Sequence, residues 1–162
     1  MSFILILFYV FTFLAVYVQV FFLVTYFENR KKILIRGGTI ELSHYPTVTV
    51  IVPCYNEEKT VSLTVDSLLE LAYPVDKLQI IVVDDGSKDN TWESLQQYKD
   101  NPRVQLYKKE NGGKHTALNF GLEHTTSELV GCLDSDSSVH PEALKRIVAL
   151  FDNSDTMAVA PS

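Results

Sequence analysis

Charge is missing from the first 27 residues of this chain, so that stretch cannot build the solvated face that a surface helix of a globular protein needs. No basic residue precedes its apolar run and no small-residue cleavage site follows, which speaks against a secretory signal peptide. Cysteine is scarce: Cys54 and Cys132 are the two in the chain. They make neither a zinc pattern nor a disulfide framework. Both fall in expected strands, where cysteine serves as a small buried apolar residue, and a reducing compartment fits. Basic excess is missing as well. A net charge of −6 argues against a nucleic-acid binder, which needs a basic face. If the partner is an anionic nucleotide, an acidic protein needs a metal to reverse the local sign. Internal repeats and low-complexity tracts are absent, and 162 residues leave room for one domain plus an appendage.

What is present divides into three parts. Residues 3–27 are apolar apart from the uncharged Thr12, Gln19 and Thr25, and as a helix they reach about 37 Å, enough to cross a bilayer with some tilt. Arg30, Lys31, Lys32 and Arg36 follow at once, with no basic residue on the other flank. The positive-inside rule therefore places everything downstream in the cytoplasm. Residues 1–29 read as a transmembrane helix, 30–46 as a juxtamembrane connector around Gly37-Gly38, and 47–162 as a domain with a core of its own.

In that domain apolar runs alternate with helical periodicity. Strands are expected at Val48–Pro53, Leu78–Asp84, Val104–Tyr107, Leu129–Asp134 and Met157–Ala160. Helices are expected at Thr60–Ala72, after Asn90 with Glu93 as a capping pair, at Lys114–His124, and from Pro141 with a stripe of Leu144, Ile147, Val148 and Phe151. Strands that are continuously apolar and separated by helices predict an α/β fold, a mainly parallel sheet covered on both faces. The end at Ser162, inside what should be the sheet, reads as a fragment of a longer protein.

The strand ends hold the chemistry. Asp134 and Asp136 are separated by the small Ser135, and strand alternation sends both to one side. Two carboxylates at the C-terminal edge of such a sheet repel unless a cation lies between them and a ligand. Open α/β sheets bind ligands at that edge, so the pair reads as a Mg²⁺ or Mn²⁺ site bridging to phosphate oxygens. A calcium loop would require different residues at Ser138 and Val139. At the end of the first strand, Pro53-Cys54-Tyr55-Asn56-Glu57-Glu58 lacks the glycines of a dinucleotide turn. Tyr55 could stack on a base there or pack on the sheet, and the acids could simply favour a helix start. Asp84-Asp85-Gly86 could accept from a nucleobase or ribose, or form an ordinary turn. Asn111-Gly112-Gly113-Lys114 fails the P-loop pattern, which needs Gly at Lys108 and Ser or Thr at His115. A glycine turn entering a helix with Lys114 on its first turn still attracts phosphate. His44, His115, His124 and His140 show no metal-ligand spacing.

Together, Val48 to Glu58, Ile80 to Thr91, Asn111 to Leu122 and Gly131 to Ser137 resemble the blocks of the family-2 inverting glycosyltransferases, which share the GT-A fold. Among these the chain is most similar to membrane-bound processive synthases of poly-N-acetylglucosamine, hyaluronan or cellulose. The resemblance implies a UDP-sugar donor, a glycan or lipid-linked acceptor, and a role for each matching residue. Pro53, Tyr55 and Glu57 would line the uridine pocket, and Asp84 or Asp85 would bond the uracil. Lys114 would face the diphosphate, Asn119 would help shape its helix, Asp134 would approach the ribose or metal, and Asp136 would hold the metal. The family's catalytic carboxylate and Gln-x-x-Arg-Trp segment have no counterpart here, so the chain should hold the donor-binding half. Two alternatives are a nucleotide-sugar binding module without turnover, and a haloacid-dehalogenase-type phosphatase, which also carries an Asp-x-Asp pair after an apolar strand.

Overall fold

The computed structural model describes residues 3–35, 42–152 and 156–160. They fall in two units, one before and one after residue 39. The first is a single helix, α1 (Phe3–Ile35). Its stretch Leu5–Phe27 is long and apolar enough to cross a membrane, and the Thr12 hydroxyl returns its hydrogen bond to the Phe8 carbonyl at 2.8 Å. The helix passes the expected boundary at 29, because nothing from Glu28 to Ile35 breaks helical propensity. Gly37-Gly38 lies outside the described residues.

The second unit alternates as expected: β1 (Val48–Cys54), α2 (Val61–Leu69), β2 (Leu78–Asp84), α3 (Thr91–Leu95), β3 (Val104–Lys108), α4 (Lys114–Glu123), β4 (Leu129–Cys132) and α5 (Ala143–Val148). All pairings are parallel, in the order β3-β2-β1-β4. Strand alternation splits the core. Val50, Val52, Ile80 and Val82 face α2, α3 and α5, where Val61, Val65, Leu68, Leu95, Leu144 and Val148 are buried. Ile51, Ile81 and Val83 face α4 through Ala117. Each fully buried Val or Ile stabilises this packing by about 1.5–3 kcal/mol. Thr49, buried among them, is satisfied by the Thr125 and Ser127 hydroxyls at 2.6 and 2.7 Å.

Three expectations are corrected. Residues 157–160 form no strand and pair with no neighbour among the described residues; Met157 is 90% exposed, and a run of four apolar residues does not by itself choose a ladder. The fourth strand ends at Cys132 rather than Asp134 and alternates half-buried with exposed. It stands at the edge of the described sheet; Val130 and Cys132, in register with Thr49 and Ile51, lie exposed there, and Cys132 is exposed rather than buried. Asn90 makes no side-chain cap; Asp89 does that work, its Oδ1 accepting the Thr91 N–H at 3.1 Å.

Candidate active site

The chain runs outward from β1 through β2 to β3, then returns past β1 to place β4 on its other side. That reversal opens a crevice at the C-terminal ends of β1 and β4, the usual ligand position in an open α/β sheet. Pro53 helps to open it. The Ile51 carbonyl accepts the Leu133 N–H at 3.0 Å on the β4 side, while the Cys54 carbonyl accepts the Asp85 N–H at 2.9 Å on the β2 side. Alternation aims Pro53 toward β4, where its missing N–H removes the next rung of the ladder. The two strands part there. The resulting cavity, about 240 Å³, is lined by Pro53, Cys54, Tyr55, Glu57, Asp85, Lys114, Asp134, Ser135 and Asp136.

Loops after β1 and β2 form one wall and are bonded to each other. Asn56, at φ 56°, donates its N–H to Ser87 Oγ at 3.0 Å and accepts the Lys88 N–H on Oδ1 at 2.8 Å. The Glu57 N–H reaches Thr91 Oγ1 at 2.8 Å, and the Glu58 N–H reaches Asp89 Oδ2 at 3.2 Å. Glu57 Oε2 accepts the Thr60 hydroxyl at 2.6 Å, which ties this side chain to the start of α2. Tyr55 stays 42% exposed at the mouth.

The adjacent aspartates separate. Asp84 is fully buried and does not line the cavity; its Oδ1 accepts the Ser87 N–H at 2.9 Å, and Lys108 Nζ stands 3.7 Å from Oδ2. Asp85 lines the cavity and receives Lys109 Nζ at 2.6 Å on Oδ1 and the Gly113 N–H at 2.7 Å on Oδ2. The Gly112 N–H adds a contact at 3.1 Å. Burial pulls the Asp85 carboxyl upward, but the hydrogen bonds from Lys109, Gly112 and Gly113 outweigh it and hold the group below its ordinary value.

The opposite wall is Lys114 with the segment after β4. Ser135 is buried and its carbonyl accepts the Thr64 hydroxyl at 2.8 Å, so Asp134 and Asp136 on either side of it both open onto the cavity. The Lys114 ammonium donates to Asp134 Oδ1, and that hydrogen bond pushes Lys114 above its ordinary value. Both aspartates are exposed. Among the described residues no group of three or more His, Cys, Asp or Glu could enclose a metal ion. Two hard carboxylates nevertheless suit a cation that takes its other ligands from phosphate and water, as Mg²⁺ does.

Of the residues singled out in the sequence, Pro53, Tyr55, Glu57, Asp85, Lys114, Asp134 and Asp136 come together. Asp84 and Asn119 do not. Asn119 is exposed on α4, outside the cavity lining. The four histidines are exposed. Lys109 was missed, and so were the Asn56, Ser87, Asp89 and Thr91 crosslinks. The paired Lys108-Lys109 at the C-terminal end of β3 was the available signal.

Comparison with known proteins decides the family. The model described as glycosyl transferase family 2 matches residues 49–162. The chain belongs to that family. As a family-2 member it is 36% identical over 121 residues to a poly-beta-1,6-N-acetyl-D-glucosamine synthase of Staphylococcus epidermidis, covering 73% of this chain and 29% of the relative. It is 33% identical over 137 residues to the synthase of the same description from Staphylococcus aureus, covering 81% and 33%. The chain thus spans about a third of the length of these relatives. Among solved structures, S. aureus TarS 1-349 in complex with UDP superposes with TM-score 0.60 at 30% identity, covering 65% of this chain and 32% of that one. The mannosyltransferase PcManGT from Pyrobaculum calidifontis, in complex with GDP-Man and Mn²⁺, gives TM-score 0.61 at 32% identity, covering 78% and 38%. The fold is that of the GT-A glycosyltransferases, and the phosphatase alternative falls with the family assignment.

Proposed function

We propose that this chain is the membrane anchor and donor-binding half of a glycosyltransferase that moves a sugar from a UDP-sugar onto a growing glycan, with inversion and with a divalent cation. One observation supports this most: an aromatic ring, a lysine and carboxylates from four separate segments converge on a single crevice at the strand reversal. TarS crystallised with UDP and with UDP-GlcNAc, and PcManGT with GDP-Man and Mn²⁺, support a nucleotide-sugar donor and a metal. The similarity to poly-beta-1,6-N-acetyl-D-glucosamine synthases supports a polysaccharide product. Residues 1–29 would span the membrane, with the domain beyond 47 on its cytoplasmic side.

In this reading Tyr55 offers a face for the base, and Asp85 offers the remaining lone pair of its carboxylate to a base N–H. Pro53 and Glu57 shape the floor and rim. Lys114 exchanges Asp134 for the diphosphate, placing a positive charge where the leaving group gathers negative charge. Asp136, with Asp134, would hold Mg²⁺ or Mn²⁺, which when bound supplies Lewis-acid stabilisation of the departing diphosphate. At about 240 Å³ the cavity is below the usual size of small-ligand pockets, so the sugar would extend beyond it. Glu57, Asp85 and Asp134 are already engaged by Thr60, Lys109 and Lys114; the base that deprotonates the acceptor is not assigned to them.

Calorimetry with Mn²⁺ tests the reading. The wild-type chain should bind UDP, and Asp136→Asn should weaken that binding by about a hundredfold. Equal affinity in the two proteins removes the metal site.

A further inference from the structure

We propose that Lys109 is a positioning residue for this site: through Asp85 and Thr116 it fixes the Asn111–Gly113 turn, and thereby the placement of Lys114 against a diphosphate. The inference rests on the donor-binding reading above. Lys109 lies outside the cavity lining, yet all three of its donors are directed at the machinery around the turn. Its Nζ reaches Asp85 Oδ1 at 2.6 Å, the Glu110 carbonyl at 2.5 Å and Thr116 Oγ1 at 2.8 Å. Thr116 in turn donates its hydroxyl to the Gly113 carbonyl at 2.9 Å. Asp85 takes the Gly112 and Gly113 N–H groups from the other side. The turn is therefore gripped at residues 110, 112 and 113, immediately before Lys114 opens α4.

Packing gives a second, independent sign. A Cβ on Gly112 would come within 2.7 Å of Thr116 Oγ1 and 3.2 Å of Lys109 Nζ, so the turn is closed onto this cluster with no room for a side chain. Charge gives a third. Asp85 is 3% exposed and borders a cavity read as taking a diphosphate. A nearly buried carboxylate without a counter-ion would oppose an anionic ligand, and Lys109 removes that opposition. Asp85 thus holds the phosphate turn through both oxygens and keeps a lone pair for the base. Loss of Lys109 should disturb the base contact less than the turn.

The test compares UDP with uridine, which lacks the phosphates, on the full chain in detergent with Mg²⁺. Lys109→Met should weaken UDP by about tenfold and uridine by clearly less, and Lys109→Arg should recover most of the UDP affinity. Equal loss for both ligands, or loss for neither, overturns the proposal and leaves Lys109 a purely structural ion pair. If Lys109→Met gives no cooperative melt, Thr116→Val decides, with an expected loss of about threefold for UDP alone; an unchanged UDP-to-uridine ratio overturns the proposal. A wild-type chain that binds neither ligand is a different result, which removes the donor reading and this inference with it.

Discussion

The wall made by the ends of β1 and β2 is crosslinked from several directions, whereas the wall made by the segment after β4 is held at few points. Asn56, Glu57 and Glu58 are each bonded to the loop from Ser87 to Thr91, and Asp85 is locked to Lys109 and two glycine N–H groups. Across the cavity, the Thr64–Ser135 bond and the turn closed by the Ser137 N–H on the Asp134 carbonyl at 3.1 Å hold the backbone, while both carboxylates face solvent. The difference matches the two tasks proposed for the site. A base needs a rigid pocket, because preorganisation lowers the cost of ordering on binding. A cation and a diphosphate arrive with charge and water to rearrange, so side chains able to exchange partners suit them, as with Lys114 on Asp134.

The largest expected effect breaks the comparison through the backbone. Gly86 sits at φ +74°, and a Cβ there would lie 2.8 Å from the Asn111 nitrogen and 3.2 Å from the Lys109 carbonyl. Gly86→Ala should cost about 3 kcal/mol, combining left-handed strain with overpacking against backbone. Asp136→Asn, on the open wall, should stay within about 0.5 kcal/mol of wild type. Urea midpoints read both. Similar losses for the two variants would mean that the walls do not differ in rigidity.

Acid should act next, and unequally. Asp85 is held below its ordinary value of 3.8. A depressed carboxyl contributes stability that is complete above its unfolded value and disappears as pH falls through the folded one. The melting temperature of the wild type should therefore fall more steeply below about pH 4 than that of Asp85→Asn. Parallel curves would deny the bonded wall its charge lock.

How much of this was legible beforehand depended on range. The strands β1 and β2 announced themselves because a run buried on both faces is apolar without alternation, and Val48–Cys54 and Leu78–Asp84 are buried along nearly their whole length. The Asp134/Asp136 pair was legible because one small residue separates them. Leu129–Cys132 looked the same in sequence as a central strand, but its place at the edge among the described strands comes from the pairing order, not from those residues. Asp84 and Asp85 could not be told apart because the donors that distinguish them come from afar. Lys109 lies 24 positions from Asp85 and Gly113 lies 28. Lys109 itself reads as one more solvated lysine until β3 and α4 are folded beside β2.

The smallest effect leaves stability untouched and asks only which wall admits a reagent. Cys54 lies on the bonded wall, 3% exposed, its thiol donating to the Val83 carbonyl at 3.6 Å. Burial, reinforced by Asp84, Glu57, Asp89 and Asp85, pushes that thiol up to about 12, so the reactive thiolate is nearly absent at neutral pH. Cys132 on β4 is exposed, although partial burial also raises it above its ordinary value. Iodoacetamide at about pH 8 should therefore modify Cys132 first, more slowly than a free thiol, and reach Cys54 only once urea opens the sheet; peptide mapping distinguishes the two. The reagent needs an exposed thiolate, and Cys54, although at the cavity wall, is buried and almost wholly protonated while the loops after β1 and β2 stay joined. Labelling of Cys54 at the rate of Cys132 without denaturant would show that the crosslinked wall opens as readily as its partner, and the base pocket could then not be the rigid half of the site.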